Sequence, residues 1–421
     1  MIKRKMMQFS SKIFLFCAGI LAASAFALPA YATGDVAVDA GIQAIIRQGV
    51  LPVRIESSDS ELGALVRHAL SFHGAFDTKA SPRTAAVIRV SSDGASVSAT
   101  ASGLSKAFSG TLTVSGTDND AVAELCDKIV VAVGKKYDWK LKPIFSKTKL
   151  AFSASQTGAR EIYFSDLLFR RIRRATNHKR IAIMPHWDPS GTRLLYTTYH
   201  ASGAADVYSV NIATGAFSKF AAYPNTNNGG AFSPDGSKVA LALSARGVMN
   251  IYVKPAKGGN AVSLCRDEEV QTTPVFSPDG KTILFTSGPN GRPSLYTVPA
   301  SGGKKTRLVT RGFSYATDPA WSRVAPSKIA FSYVRSGRGG VGIYDLNTRE
   351  VRDLGALIPG GRKFSNPTWC ADGRHVVAVE EVGKSSFLVI MDTDGGERAK
   401  VTRISPASLK NCYDPDALVK D

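Results

Sequence analysis

A chain of 421 residues, 44% of them apolar, is too long for one compact core unless burial is spread over repeated units. Its 53 Lys and Arg against 34 Asp and Glu, a formal charge of +19, exclude an acidic, self-solvating chain and favour anionic partners. Five cysteines without CxxC spacing exclude a dense disulfide scaffold and a zinc module.

The first 32 residues read as an export signal. Lys3, Arg4, Lys5 and Lys12 form a positive start, Ile13 to Leu21 an apolar stretch, and Ala30-Tyr31-Ala32 a small-residue cleavage site. Ala25-Phe26-Ala27 is a second candidate site. Cleavage after Ala32 leaves 49 cations against 34 anions, or +15, and four cysteines: Cys126, Cys265, Cys370 and Cys412. Buried thiols are expected, with a Cys370–Cys412 bridge as the alternative. Export sets nucleic acid aside as partner and leaves acidic proteins, anionic lipid or wall polymer.

Residues 33–142 read as an α/β domain. Val50 to Ile55 predicts a strand, and Ser58-x-x-Glu61 a capping box ahead of a helix that buries Leu62, Leu65, Val66, Ala69 and Leu70. Ala86 to Val90 and Val97 to Ala101 flank Ser92-Asp93-Gly94 as a hairpin, and Gly110 to Val114 adds a strand. Asn119 or Asp120 caps a second helix with Ala121, Val122, Leu125, Ile129 and Val133 on its core stripe. Gly134 to Pro143 then forms a connector.

Residues 143–421 carry a repeat. An aromatic opens each unit: Trp187, Phe232, Phe276, Trp321 and Trp369, at spacings of 45, 44, 45 and 48 residues. The clean copies continue as Ser233-Pro234-Asp235-Gly236 and Ser277-Pro278-Asp279-Gly280, a tight turn in which Pro pre-sets φ and Asp-Gly tolerates the reversal. Three further strand patterns follow in each unit, which makes a four-stranded sheet. Such sheets cover their faces only by stacking, and radial stacking is a propeller. The first unit begins at its second strand, Lys149 to Phe152, and Tyr413-Asp414-Pro415-Asp416 lies 44 residues beyond Trp369. Six blades are therefore expected, with the C-terminal strand completing the first. The run Arg170-Arg171-Ile172-Arg173-Arg174 is expected as a solvated edge strand that charge keeps from aggregating.

The stretch from Asn228-Gly229-Gly230-Ala231-Phe232 through Ser233-Pro234-Asp235-Gly236-Ser237-Lys238-Val239-Ala240-Leu241-Ala242-Leu243-Ser244, with Asn250-Ile251-Tyr252-Val253, closely resembles the third-blade region of the TolB family. The layout of signal, α/β domain, six-bladed propeller and closing C-terminus is similar over nearly the whole chain. The resemblance implies a non-enzymatic periplasmic scaffold, monomeric and without cofactor or metal. Its propeller would bind the lipoprotein Pal and its N-terminal region TolA, with other outer-membrane or wall-associated proteins as further partners. The Pal-facing loops would be those entering each blade's first strand: Thr226, Asn227, Asn228 and Gly229; Gln271, Thr272 and Thr273; Thr317 and Asp318; Ser365 and Asn366. Thr226-Asn227-Asn228 stands where the family has His-Asn-Gly, and Thr273 where it has Glu. Asp35, Val36 and Val38 match the TolA-contacting start.

Enzymatic readings find less support. A hydrolase of the prolyl-oligopeptidase type needs a G-x-S-x-G elbow; Gly312-Phe313-Ser314-Tyr315-Ala316 ends on the wrong residue and falls in a blade connector. His68 and His73 are five apart, off the i, i+4 spacing of paired ligands, and His186 is placed on the channel face. The alternative function is an exported propeller that binds or acts on a wall or capsule carbohydrate.

Overall fold

The computed structural model describes residues 43–80, 85–103, 106–199, 203–308, 310, 312–313, 315–358, 360–395 and 400–420. The expected signal segment and Asp35, Val36 and Val38 lie outside them. Residues 45–421 form one compact unit, and of residues 1–44 only Gln43 and Ala44 are described.

A five-stranded sheet opens this unit. Leu51–Ser57 runs parallel to Phe76–Asp77 and Ala86–Ser92, and the sheet continues antiparallel through Ser96–Ser102 and Thr111–Ser115. Helices α1 (Ser60–Phe72) and α2 (Asn119–Tyr137) bury the expected stripes. Neither cap is the expected residue. Asp59 caps α1 by accepting from the Glu61 and Leu62 amides, so Ser58 is not the cap, and Asp118 caps α2 through the Ala121 amide. A carboxylate there also complements the helix dipole, which a serine cannot do. The connector is pinned: buried Asp127 of α2 accepts the amides of Ile144, Phe145 and Ser146 at 2.7, 2.8 and 2.8 Å.

The remaining described strands form six four-stranded antiparallel sheets. Their inner strands are Tyr413–Val419 for blade 1 and then Ala182–Trp187, Asn227–Phe232, Gln271–Phe276, Ala316–Trp321 and Lys363–Trp369 for blades 2 to 6. The second strands explain the stacking. Ile283, Leu284 and Phe285 are all fully buried because the blade is covered on both faces. Ile283 and Phe285 pack with Ala240, Ala242 and Ile251 of blade 3, while Leu284 packs with Ile329 and Phe331 of blade 5. The Ser-Pro-Asp-Gly turns close as expected. Gly236 and Gly280 take φ +70, and Ser233 and Asp235 knit the loop through the Lys238 and Ser237 amides.

Closure is as expected, but the repeat's phase is not. Tyr413–Val419 pairs antiparallel with Thr148–Ala154, with Ala417 opposite Leu150. Pro415 occupies the place of Pro274, Pro319 and Pro367, so Ala417 and not Tyr413 stands where the other blades carry their aromatic. The Pro-Asp of the C-terminus had the turn's spelling in a different place in the strand. The Cys370–Cys412 alternative also falls. All four described cysteines are free, and burial pushes the Cys412 thiol up to about 12.

The basic run does more than shield an edge. Arg173–Arg174 is the exposed outer strand of blade 1, but Arg170 pairs with Glu61 in the first turn of α1 at 3.0 Å, and Arg171 with Asp118 and Asp120 at the start of α2 at 3.5 and 2.8 Å. These exposed pairs orient the α/β layer on blade 1, at up to about 1 kcal/mol each.

Blade 6 makes the deeper joint. The Gly74 amide donates to His375 Nε2 at 3.2 Å, and Lys400 Nζ donates to the carbonyls of His73 and Phe76 at 3.1 and 2.7 Å. His375 Nδ1 meets Asp372 Oδ2 at 2.5 Å, and Arg374 holds Asp392 with two bonds. Ligand atoms of His73, Asp372 and His375 lie within 4.8 Å of one another, but both ring nitrogens of His375 are already committed, which suits a hydrogen-bonded joint better than a metal site. His73 Nδ1 accepts from the Ala75 amide, and its buried Nε2 has no partner. Burial, aided by neighbouring His375, holds the His73 pKa well below 6.5. The unfolded chain then takes up a proton that the folded one refuses, so stability is expected to fall as pH drops below about 6.5. Thermal melts at pH 7.5 and 5 should show this loss, and His73→Asn should shrink the difference between them.

Candidate binding site on the propeller axis

Each inner strand carries one residue in the left-handed backbone region: Met184 (φ 53), Gly229 (φ 72), Thr273 (φ 49), Asp318 (φ 47), Asn366 (φ 49) and Asp414 (φ 51). Five are followed by proline (Pro185, Pro274, Pro319, Pro367 and Pro415), and Gly229 is followed by Gly230. Ladder pairing slips at these points, for example between Thr272 and Val275 and between Ser365 and Thr368. The resulting bulge turns the chain toward the axis, and a proline there leaves no orphan N–H.

A non-glycine residue in this region costs roughly 1–3 kcal/mol and persists only where its surroundings enforce it. The enforcement comes from the preceding blade at Gly229, Asn366 and Met184, and from the second strand of its own blade at Thr273. The Gly229 amide donates to Thr197 Oγ1 at 3.2 Å, the Asn366 amide to Ser332 Oγ at 2.8 Å, and the Met184 amide to Asp414 Oδ2 at 3.4 Å. Thr273 and Thr286 share a hydroxyl bond at 2.9 Å.

All six residues line one pocket of about 280 Å³ on the propeller axis. Its wall holds no Lys or Arg. Asp318 and Asp414 supply carboxylates, Asn228, Thr272, Thr273 and Asn366 neutral hydrogen-bonding groups, and the prolines apolar surface. Burial, with Asp414 adding repulsion, raises the Asp318 carboxyl above its ordinary value against bonds from Thr317 and Ser332 that lower it. A carboxyl raised by burial in the wall of a cleft makes this pocket a candidate functional site. His186 lines the same pocket, with Nδ1 3.5 Å from Asp416 Oδ1, and Asp416 Oδ2 accepts the Trp187 amide at 2.8 Å. A second pocket of about 90 Å³ lies further along the inner strands, lined by Trp187, Phe232, Phe276, Trp321, Trp369 and Ala417. The repeated aromatics therefore narrow the other end of the channel.

Of the loop residues expected to face a partner, Asn228, Gly229, Thr272, Thr273, Asp318 and Asn366 come together in the pocket wall. Thr226, Asn227, Gln271, Thr317 and Ser365 do not line it. Asn227 is fully buried and ties the entry loop by accepting from the Tyr223 amide and donating to the carbonyls of Tyr223 and Ala205. Gln271, also fully buried, accepts the Ile251 amide of blade 3. The Thr226 amide donates to Ser244 Oγ, Thr317 Oγ1 to Asp318, and Ser365 pairs with Val379. Met184, Asp414 and the five prolines were missed. The signal that would have found most of them is a proline two places before the aromatic, present at Trp187, Phe276, Trp321 and Trp369; Phe232 has Gly230 there, and Pro415 precedes Ala417.

The fold and site define a strand-closed, six-bladed propeller with a polar, proline-walled pocket on its axis. A model of the TolB beta propeller domain matches residues 144–411. The chain belongs to the TolB β-propeller family. The Tol-Pal system protein TolB of Anaeromyxobacter dehalogenans is 29% identical over 164 residues, 39% of this chain and 36% of the relative. The Protein TolB homolog of Chlorobaculum tepidum is 32% identical over 116 residues, 26% of this chain and 25% of the relative. The matches thus span about a third or less of these curated relatives. In fold, the crystal structure of TolB from Acinetobacter baumannii superimposes with a TM-score of 0.71 at 20% identity, covering 88% of this chain and 96% of that one.

Proposed function

We propose that this protein is the periplasmic scaffold of a Tol–Pal system. The pocket end of the propeller receives Pal, and the N-terminal region, including Asp35, Val36 and Val38, engages TolA. In this role it supports outer-membrane integrity, constriction at division and import of macromolecules, without catalysis of its own. The observation that carries the reading is the ring of six left-handed residues around one pocket. Left-handed backbone held at six equivalent points, five of them strained non-glycine residues, preforms a receptor surface, and preformed surfaces bind at low ordering cost. The wall offers hydrogen-bonding side chains rather than a paired nucleophile and base, which suits recognition of a protein loop.

The test is capture of the organism's own soluble Pal domain by residues 33–421. Retention is expected, and Thr272→Arg or Asn366→Arg, which fill the pocket, should weaken it by about tenfold or more, as truncating a buried interface anchor does. A wild-type chain that fails to retain Pal would sink the Pal assignment.

A further inference from the structure

We propose that the pocket end of the propeller docks an acidic face of a partner protein and takes a lysine- or arginine-tipped loop of that face into the axial pocket. The inference rests on the reading that the propeller binds a protein through this end, and it specifies the partner's chemistry.

Rim and pocket carry opposite charge. Lys179 and Arg180 lie in the loop entering blade 2, Arg266 in the loop entering blade 4, and Arg246, Arg338 and Lys384 in the hairpins of blades 3, 5 and 6 that open at the same end. All six are exposed and form no ion pair with any described residue. The exposed acids in those loops are Glu268 and Glu381; Asp267 and Glu269 are taken up by Lys305. Unpaired cations of one sign around a mouth attract an acidic surface and steer its approach. Within that rim the pocket wall reverses sign, with Asp318 and Asp414 and no Lys or Arg. A cation on an inserted tip would compensate the two carboxylates.

The rim is also apolar enough to be an interface. Five of the ten most exposed large apolar side chains among the described residues (Ile181, Val270, Tyr315, Val334 and Val382) sit at this end. They flank the strand mouths: Tyr199 donates to the Ile181 carbonyl, Gly288 to that of Val270 and Val334 to that of Tyr315. Exposed apolar groups interleaved with arginines are the composition of a protein-docking surface rather than of a solvated one.

The experiment titrates a labelled cyclic acidic peptide with one central lysine against residues 33–421, with melts to confirm that each variant is folded. The wild type should bind. The rim variant Arg246→Glu/Arg266→Glu/Arg338→Glu should lose about tenfold or more, with most of the salt dependence. Asp318→Asn and replacement of the peptide lysine by norleucine should each weaken binding, and together by less than the sum, as coupled partners do. Absence of peptide binding, binding indifferent to the rim variant, or binding indifferent to the lysine overturns the proposal. Rim-dependent binding to phosphatidylglycerol-containing vesicles that ignores Asp318→Asn, with no peptide binding, overturns it in favour of a membrane. Full capture of Pal by the rim variant sinks this inference and leaves the Pal assignment standing. A peptide cycle that holds while wild type fails to capture Pal sinks only the Pal assignment.

Discussion

Deleting residues 407–421 is expected to lower the melting temperature by roughly 10–20 °C, the largest effect of any short truncation in the propeller. Removing Tyr413–Val419 strips the inner edge of Thr148–Ala154 and leaves its ladder groups without partners in the closed ring. Leu418 is 3% exposed and Leu409 4%, and each contributes about 2–3 kcal/mol by burial. The strand also touches three blades. The Ala417 amide donates to Thr368 Oγ1 of blade 6 at 3.1 Å, Asp414 accepts from Ser153 of blade 1 at 2.9 Å, and Asp416 accepts the Trp187 amide of blade 2 at 2.8 Å. A loss of about 5 kcal/mol or more, at the roughly 2–4 °C per kcal/mol typical of domains this large, sets the range. Differential scanning calorimetry of residues 33–406 and 33–421 checks it, and an unchanged midpoint refutes closure as a source of stability.

The second large effect is expected from one methyl group. A Cβ at Gly74 would stand 1.5 Å from Asp392 Oδ2 and 2.4 Å from its Cγ. Asp392 cannot swing away, because it is 1% exposed and Arg374 holds it with bonds of 2.8 and 2.7 Å. Gly74→Ala must therefore displace the 73–76 segment, break the Gly74 to His375 bond and loosen the Lys400 bonds to the His73 and Phe76 carbonyls. Disturbing a buried, hydrogen-bonded charge pair costs about 3–5 kcal/mol. Gly288→Ala is the control, since its nearest neighbours are 4.0 Å away, and it should change stability little. Urea denaturation separates the two, and equal midpoints would show that the blade 6 joint carries no such constraint.

Much of the blade architecture was legible along the chain. The aromatic period and the Ser-Pro-Asp-Gly turns depend on neighbours in sequence: Ser233 to Asp235 to Ser237 is a local network, and it holds the Asp235 carboxyl down to about 2. The same locality misled at the C-terminus, where Tyr413-Asp414-Pro415-Asp416 looks like the turn and is the bulge four residues upstream of it. At the site, half of the expected loop residues reached the pocket. Asn227 and Gln271 did not, because they satisfy buried amides and carbonyls of their own or the preceding blade, which no spacing along one loop reveals.

By itself, then, the sequence determined the repeating unit, the number of blades and the family, because turn chemistry and apolar periodicity act over a few residues. Only the tertiary structure decided which residues become a site. Met184, Gly229, Thr273, Asp318, Asn366 and Asp414 stand about 45 residues apart in the chain and share one pocket wall. The left-handed backbone at Met184, Gly229 and Asn366 is held by side-chain oxygens of the preceding blade, and the pocket wall is assembled from all six inner strands. Both depend on which blade stands beside which, and ring closure decides that.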